Sequence, residues 1–461
     1  MANDDDLPLS ELVAAFSYAL DITEGQPEGH CIRSCWIGMH IGSALGLSED
    51  VLWDVYFTLL LKDLGCSSNA ARICALYLTD DLKFKHDFKW VDGSFPQVVK
   101  FALKNTALGA GLVKKIRTVL GTLSNTDAVA QELIETRCSR GADIAKRLGF
   151  GAGVAAGVYS LDEHWNGQGH PCQLAGEAIP LAARIALLAQ VVEVFHRSSG
   201  VDAAIVEAVG RRGTWFDPRL VDALAAIGAE HPMWAMLGSA DADLEQAVAG
   251  LAPPNAKVAV DEDYLDEIAA AFGEVVDSKS PYTSGHSTRV ALYTDLVAKE
   301  LGLDPERRRW LHRGALLHDV GKLGVSNAIL DKPGKLDEAE WVVMRKHPVF
   351  TEAILSRIPH FKQLAVDAAA HHERLDGKGY PRGVGAAEIS LETRIITTAD
   401  IFDAITAERP YRGATAPQAA LAIMAESVGT ALDPGCFAAL CRVVAALEEK
   451  ESADAAVAAA A

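Results

Sequence analysis

Seven residues in the C-terminal half of this chain are of metal-ligand type: His286, the pair His318-Asp319, His347, the pair His371-His372, and Asp400. Five are imidazoles, and they fall on separate segments. Imidazole nitrogens with a few carboxylates suit iron, manganese, zinc or nickel better than calcium or magnesium. One ion cannot use so many donors, so the first reading is a two-metal hydrolytic centre. Any one of these could be an ordinary core histidine or helix carboxylate. All of them together could not, because that many buried, uncompensated polar groups would cost too much.

The elements that must position these groups read as helices. Leu311, Gly314, Ala315 and His318 share one helical face, with Asp319 about 100° further round. His371-His372 follows the small-residue run Ala368-Ala369-Ala370, where little bulk blocks approach. Asp400 and Asp403 lie at i and i+3 and can face one centre. After His286, apolar residues recur at Val290, Tyr293, Val297 and Leu301. Leu303-Asp304-Pro305-Glu306 supplies a stop, a cap and a proline at a new helix start. Asp337 with Glu340 has the form of a capping box before Trp341. Alternating β-branched runs are scarce, so the expected fold is all-α.

The chain also repeats itself. Gly29-His30-x-x-Arg33 returns as Gly285-His286-x-x-Arg289, and Leu60-Leu61-Lys62-Asp63-x-Gly65 as Leu316-Leu317-His318-Asp319-x-Gly321. Glu163-x-x-x-Gly167-x-Gly169-x-Pro171 returns, at a shorter offset, as Glu373-x-x-x-Gly377-x-Gly379-x-Pro381. The change of offset places an insertion in the first copy, near 66–130. It includes a basic-aromatic stretch from Lys83 to Trp90 and a Gly-rich helical pattern near 105–121. The expected organisation is a helical domain over 7–235, a connection over 236–261 and a second helical domain over 262–447. An Ala-rich tail, 448–461, lacks an apolar face and is expected to fray.

Length and composition narrow the function. The chain has 461 residues, enough for more than one core. A formal charge of −19 excludes a nucleic-acid polymer as partner but leaves room for a small anion in a local cationic pocket. No segment is apolar enough to span a bilayer, and the acidic start has no signal-peptide pattern, so a cytoplasmic protein is expected. The eight cysteines form no disulfide or zinc pattern.

At the ligand residues the sequence resembles the HD-GYP family. The resemblance rests on His286-x-x-Arg289, His318-Asp319-x-Gly321-Lys322, His347, His371-His372-Glu373 and Asp376-Gly377-x-Gly379-Tyr380-Pro381. Asp400-x-x-Asp403-Ala404 and Arg409-Pro410-Tyr411-Arg412 complete it. It covers residues near 265 to 440 and implies two tandem HD-domain-like helical bundles, the second carrying the full motif set. It implies a bacterial phosphodiesterase that degrades cyclic di-GMP to pGpG or GMP, through a hydroxide bridging two divalent ions, iron or manganese. Carried over residue by residue, it places His286, His318, Asp319 and Asp400 around one ion. Asp319 bridges to a second ion held by His347, His371 and His372, and Lys322 reaches the scissile phosphate. The resemblance also assigns Gly379 and Tyr380 to a base-packing loop, Asp403 to a supporting or guanine contact, and Arg409 and Arg412 to phosphate or base edges. Some members have a glutamate four residues before the first histidine that supports a third ion. Tyr282 stands there, so two ions are expected.

The first copy keeps His30 and Asp63 but has Lys62 for His318, Leu161 for His371, Asp162 for His372, Gln190 for Asp400 and Cys66 for Lys322. Arg137 falls near the place of His347. Two ligands cannot hold such a centre, and Lys62 is expected to supply positive charge to Asp63 in a structural core. Two other functions fit the sequence: a weakly catalytic adaptor that binds cyclic di-GMP or a protein, and a phosphohydrolase of another nucleotide, cyclic GMP-AMP among them. A homodimer or a signalling partner is compatible with either.

Overall fold

A computed structural model describes residues 7–91, 95–106, 118, 126–254, 258, 260–408 and 413–460. Among the described residues the regular structure is helical, relieved by four isolated β-bridges, and the fold is all-α. No helix among them is long and apolar enough to cross a membrane. The chain forms two compact units, Met1–Leu265 with Ser326–Ala328, and Asp266–Val325 with Ile329–Ala461.

In the first unit, α1 (Leu9–Thr23), α2 (His30–Ala44) and α3 (Glu49–Leu61) precede an inserted stretch that includes α4 (Asp81–Phe88). The unit continues with α5 (Thr126–Arg147), α6 (Gly151–Tyr159) and α7 (Leu181–Gly210). The paired helices are α2 with α3 and α7, and α6 with α3 and α5. Of the Gly-rich pattern expected near 105–121, most lies outside the described residues. The segment expected to join the copies carries a helix, Asp241–Ala249, that buries Leu244 and Val248 and packs against α2. It therefore belongs to the first unit rather than standing as a free connection.

The second unit takes up α8 (Glu262–Asp277) from Asp266 on. It continues with α9 (His286–Glu300), α10 (Pro305–Leu317), α11 (His347–Leu355), α12 (Lys362–Ala369), α13 (Leu391–Thr406) and α14 (Pro434–Ala460). Local chemistry sets several boundaries. Asp304 caps α10 through the Arg307 amide with Pro305 in its first turn, and Asp337 with Glu340 forms the capping box before Trp341. The tail expected to fray instead continues α14 as helix to Ala460, as alanine's high helical propensity allows. α9 packs on α10 and α13, and α12 on α10 and α11. Val290, Leu311, Leu317, Leu355, Leu364, Ile396 and Phe402 are buried between them. Burial of each such side chain contributes roughly 1.5–3 kcal/mol, which offsets the cost of holding four imidazoles away from water.

Candidate metal centre

His318 is the first residue beyond α10, where the chain tightens into a 3-10 turn over Val320–Gly324. The helical face read from the sequence therefore ends at His318. Asp319, with φ −103° and ψ 9°, turns back toward the same point rather than continuing round a helix. Gly321 makes this tightening possible, since a Cβ there would overlap the carbonyl oxygen of His347. The two segments are also tied by hydrogen bonds. Thr351 donates its hydroxyl to the His318 carbonyl at 2.9 Å and accepts the Gly321 amide at 3.0 Å.

Three histidines are oriented by one device. The Nδ1 atoms of His318, His347 and His371 lie 2.7, 2.7 and 2.6 Å from the carbonyl oxygens of Ala315, Met344 and Ala368, each three residues earlier. Donation from Nδ1 leaves Nε2 as the lone-pair nitrogen, aimed at the centre. His286 is held instead by a carboxylate, with Nδ1 2.7 Å from Asp403 Oδ2. Arg289 donates to the same carboxylate from Nε at 2.6 Å and Nη2 at 3.1 Å.

The donors converge as two triads, His286-His318-Asp400 and His347-His371-His372, with ligand atoms in each within 4.8 Å of one another. Asp319 lies between them. Its Oδ2 is 3.4 Å from His286 Nε2 and 3.2 Å from His318 Nε2, while its Oδ1 is 3.4 Å from His347 Nε2 and 3.6 Å from His371 Nε2. One oxygen faces each triad. Lys322 extends its ammonium onto Asp319 Oδ2.

This donor set fits divalent ions on two observations. His286 Nε2, His318 Nε2 and Asp319 Oδ1 are buried without a hydrogen-bond partner, a state that costs free energy unless a ligand completes them. The charges also call for cations. Burial alone would lower the His286 pKa, but Asp319, Asp400 and Asp403 raise it to about 10. His318 likewise rises to about 9 against its burial, through Asp319 and Asp400. Although burial opposes it, His318 and its neighbours hold Asp319 well below the usual carboxylate range, and His286 and His318 do the same for Asp400. Protons thus sit where ions would neutralise the carboxylates. In the other triad burial pushes His347 down to about 3 and His371 to about 4, and holds His372 well below its usual range, so three neutral imidazoles stand ready as donors.

Tyr380 tilts over the His372 ring, centroids 4.7 Å apart, with the Arg345 guanidinium 5.5 Å from its own centroid. Glu373 holds this loop by accepting the amides of Arg382, Gly383 and Val384 at 2.6, 3.1 and 3.1 Å. Gly379 is required by close approach, because a Cβ there would strike the backbone of His372, Glu373 and Arg374. Of the two roles expected of it, a supporting or a guanine contact, Asp403 has the geometry of the first. At 1% exposure it is committed to His286 and Arg289 and offers no free oxygen to a guanine. Arg409 and Arg412 lie outside the described residues. Arg345, Thr351 and Thr397 were not singled out in the sequence. Thr397 bonds the His371 carbonyl at 2.8 Å, but a lone helical threonine carries no signal of such a role.

With this geometry in place, likeness to known proteins becomes informative. Residues 114–220 and 271–436 match the HD domain family model. The 3'3'-cGAMP-specific phosphodiesterase 3 of Vibrio cholerae serotype O1 is 58% identical over 433 residues, 94% of each chain. A crystal structure of the cyclic GMP-AMP-specific phosphodiesterase V-cGAP3 of V. cholerae covers 95% of this chain and 97% of its own. It has a TM-score of 0.65 and 51% identity. RpfG of Xanthomonas campestris pv. campestris, a cyclic di-GMP phosphodiesterase response regulator, is 40% identical over 185 residues, 40% of this chain and 49% of that protein. The chain belongs to the HD-domain family of metal-dependent phosphohydrolases, in its HD-GYP branch. Its activity is that of a phosphodiesterase.

Proposed function

We propose that the chain opens a cyclic dinucleotide at the His286–Asp400 centre, and that it takes 3'3'-cyclic GMP-AMP in preference to cyclic di-GMP. Likeness along the whole chain carries the substrate assignment. The relative named for cyclic GMP-AMP shares 94% of both chains, whereas RpfG matches over 40% of this one. His286, His318 and Asp400 would hold one ion, and His347, His371 and His372 the other, with an Asp319 oxygen for each. Imidazoles with carboxylates suit iron or manganese there. Such ions, when bound, would lower the pKa of a coordinated water and neutralise charge that builds on the phosphodiester.

The chain's own residues supply the rest. Asp403 fixes the His286 ring so that Nε2 faces inward. Lys322 carries its ammonium to the edge of the centre, within reach of a non-bridging phosphate oxygen. Tyr380 offers a ring face to a purine. Arg409 and Arg412 would take phosphate oxygens or a base edge. Water attacks phosphorus, the 3' oxygen departs with a proton, and a linear dinucleotide with one 5' phosphate is left.

Presenting equal concentrations of both cyclic dinucleotides to protein loaded with Mn(II) tests the preference. Cyclic GMP-AMP should be consumed with the higher kcat/KM. Equal or faster consumption of cyclic di-GMP would overturn that assignment and leave the cyclic di-GMP reading in its place.

A further inference from the structure

The first unit repeats the scaffold of the metal centre and fills it differently. His30 Nδ1 lies 2.5 Å from Glu193 Oε2, and Arg33 Nε donates to Glu193 Oε1 at 2.5 Å, as His286 and Arg289 share Asp403. Glu163 accepts the amides of Cys172 and Leu174, as Glu373 accepts those of Arg382 and Val384. A Cβ on Gly65 would overlap the Arg137 carbonyl, as one on Gly321 would overlap that of His347, so Arg137 occupies the place of His347.

Every cationic position is taken by a side chain. Lys62, in place of His318, pairs with Asp63, the counterpart of Asp319, and both are buried. Arg137 pairs with Asp162, which stands in place of His372. Two more ammonium groups arrive from α4 and the residue that closes it, within the insertion. Lys85 donates to the Cys66 carbonyl at 2.8 Å and the Thr23 carbonyl at 3.1 Å, with Glu24 3.7 Å away. Lys89 lies 3.3 Å from His30 Nε2, the atom equivalent to the inward nitrogen of His286, and 3.6 Å from Glu24. α4 is anchored for this task. Asp80 caps it, and Phe84 lies in a small core with Ile73, Val91 and Phe101. Lys85, the next residue, is thereby turned inward.

We infer that the insertion is a built-in plug, in which Lys85 and Lys89 join Lys62 and Arg137 to replace the two ions and close the vacated site. Four single positive charges supply the total that two divalent ions would carry. Burial, with Lys62 next, pushes His30 down to about 4, so it is neutral beside lysines. Glu24, Asp63 and Cys66 lie close enough to hold an ion, but their charge is already matched by these ammonium groups. The first unit then takes neither metal nor nucleotide and keeps its fold without either.

The test uses the full chain in two arms. In a His286→Ala/Asp319→Ala/His371→Ala variant, which leaves each triad two donors and removes the carboxylate between them, tightly bound Mn(II) after saturation and desalting should fall to zero per chain. One ion or more retained would overturn the inference, whatever the substrate of the second unit proves to be. The other arm follows Cys66, buried beside Asp63, by mass-mapped alkylation. Lys85→Met/Lys89→Met should raise its labelling rate tenfold or more, and Lys89→Gln should raise it less. An unchanged rate in both variants would overturn the plug. Should the double variant fail to fold, the Lys89→Gln rate alone decides.

Discussion

Replacing Asp403 by asparagine isolates the carboxylate that orients His286. The side chain is 1% exposed and accepts three hydrogen bonds, from His286 Nδ1 at 2.7 Å and from Arg289 at 2.6 and 3.1 Å. Asparagine keeps the shape, but it loses the negative charge and one of the two acceptor oxygens. A charge-assisted hydrogen bond is worth about 1.5–3 kcal/mol. Loss of an outer partner to a metal-bound histidine costs about 10–100-fold in metal affinity, or about 1.4–2.7 kcal/mol. The two ranges agree. Arg289 retains 40% side-chain exposure and stays solvated, so the cost to folding should fall at the lower end. The assay is turnover as a function of free Mn(II). The half-maximal concentration should rise about 10–100-fold while turnover at saturating Mn(II) returns near wild type. An unchanged half-maximal concentration would refute the reasoning, as would a loss of turnover that metal does not restore.

Metal loading should itself depend on pH. With His286 at about 10 and His318 at about 9, both are protonated at neutral pH in the ion-free centre. Each must lose its proton to become a donor, so affinity weakens as pH falls. Chelator competition between pH 6 and 8 should show about two protons released at the His286 triad, and a pH-independent affinity would contradict this. Gly321→Ala forces a methyl into the His347 carbonyl and should destabilise the second unit by about 3 kcal/mol or more, read by denaturant unfolding. Wild-type stability there would mean that the 3-10 turn can shift. Lys322→Met should leave ion content unchanged and lower kcat by about 10²–10³-fold, since it removes a preorganised charge rather than a ligand. Loss of bound metal in that variant would reassign the lysine to holding Asp319.

Most of the centre was legible because its residue types are rare together and its spacing is regular. The seven donors, the capping box at Asp337 and the all-α fold could each be read locally, and the structure brings the donors to one point. What could not be read depends on contacts distant in sequence. Spacing alone lets Asp403 face the centre beside Asp400, and which of a supporting or a guanine contact it makes is set by the packing of α13 on α9, which turns it behind His286. The inserted lysines read only as a basic-aromatic stretch, because nothing local indicates that Phe84 anchors the helix and turns Lys85 inward. Thr351 and Thr397 act through hydroxyl bonds to carbonyls of distant residues, which leave no periodic trace. The terminal helix continues on alanine's high propensity, which the sequence carries, without an apolar face to anchor it.

The most direct measurement titrates demetallated full-length protein with Mn(II) under anaerobic conditions. Bound metal and hydrolysis of 3'3'-cyclic GMP-AMP are followed on the same samples. A centre built from two triads bridged by Asp319 predicts little turnover at one ion per chain, full turnover at two, and none in Asp319→Ala at any loading. Full activity at a single ion, or activity that survives in Asp319→Ala, would contradict it.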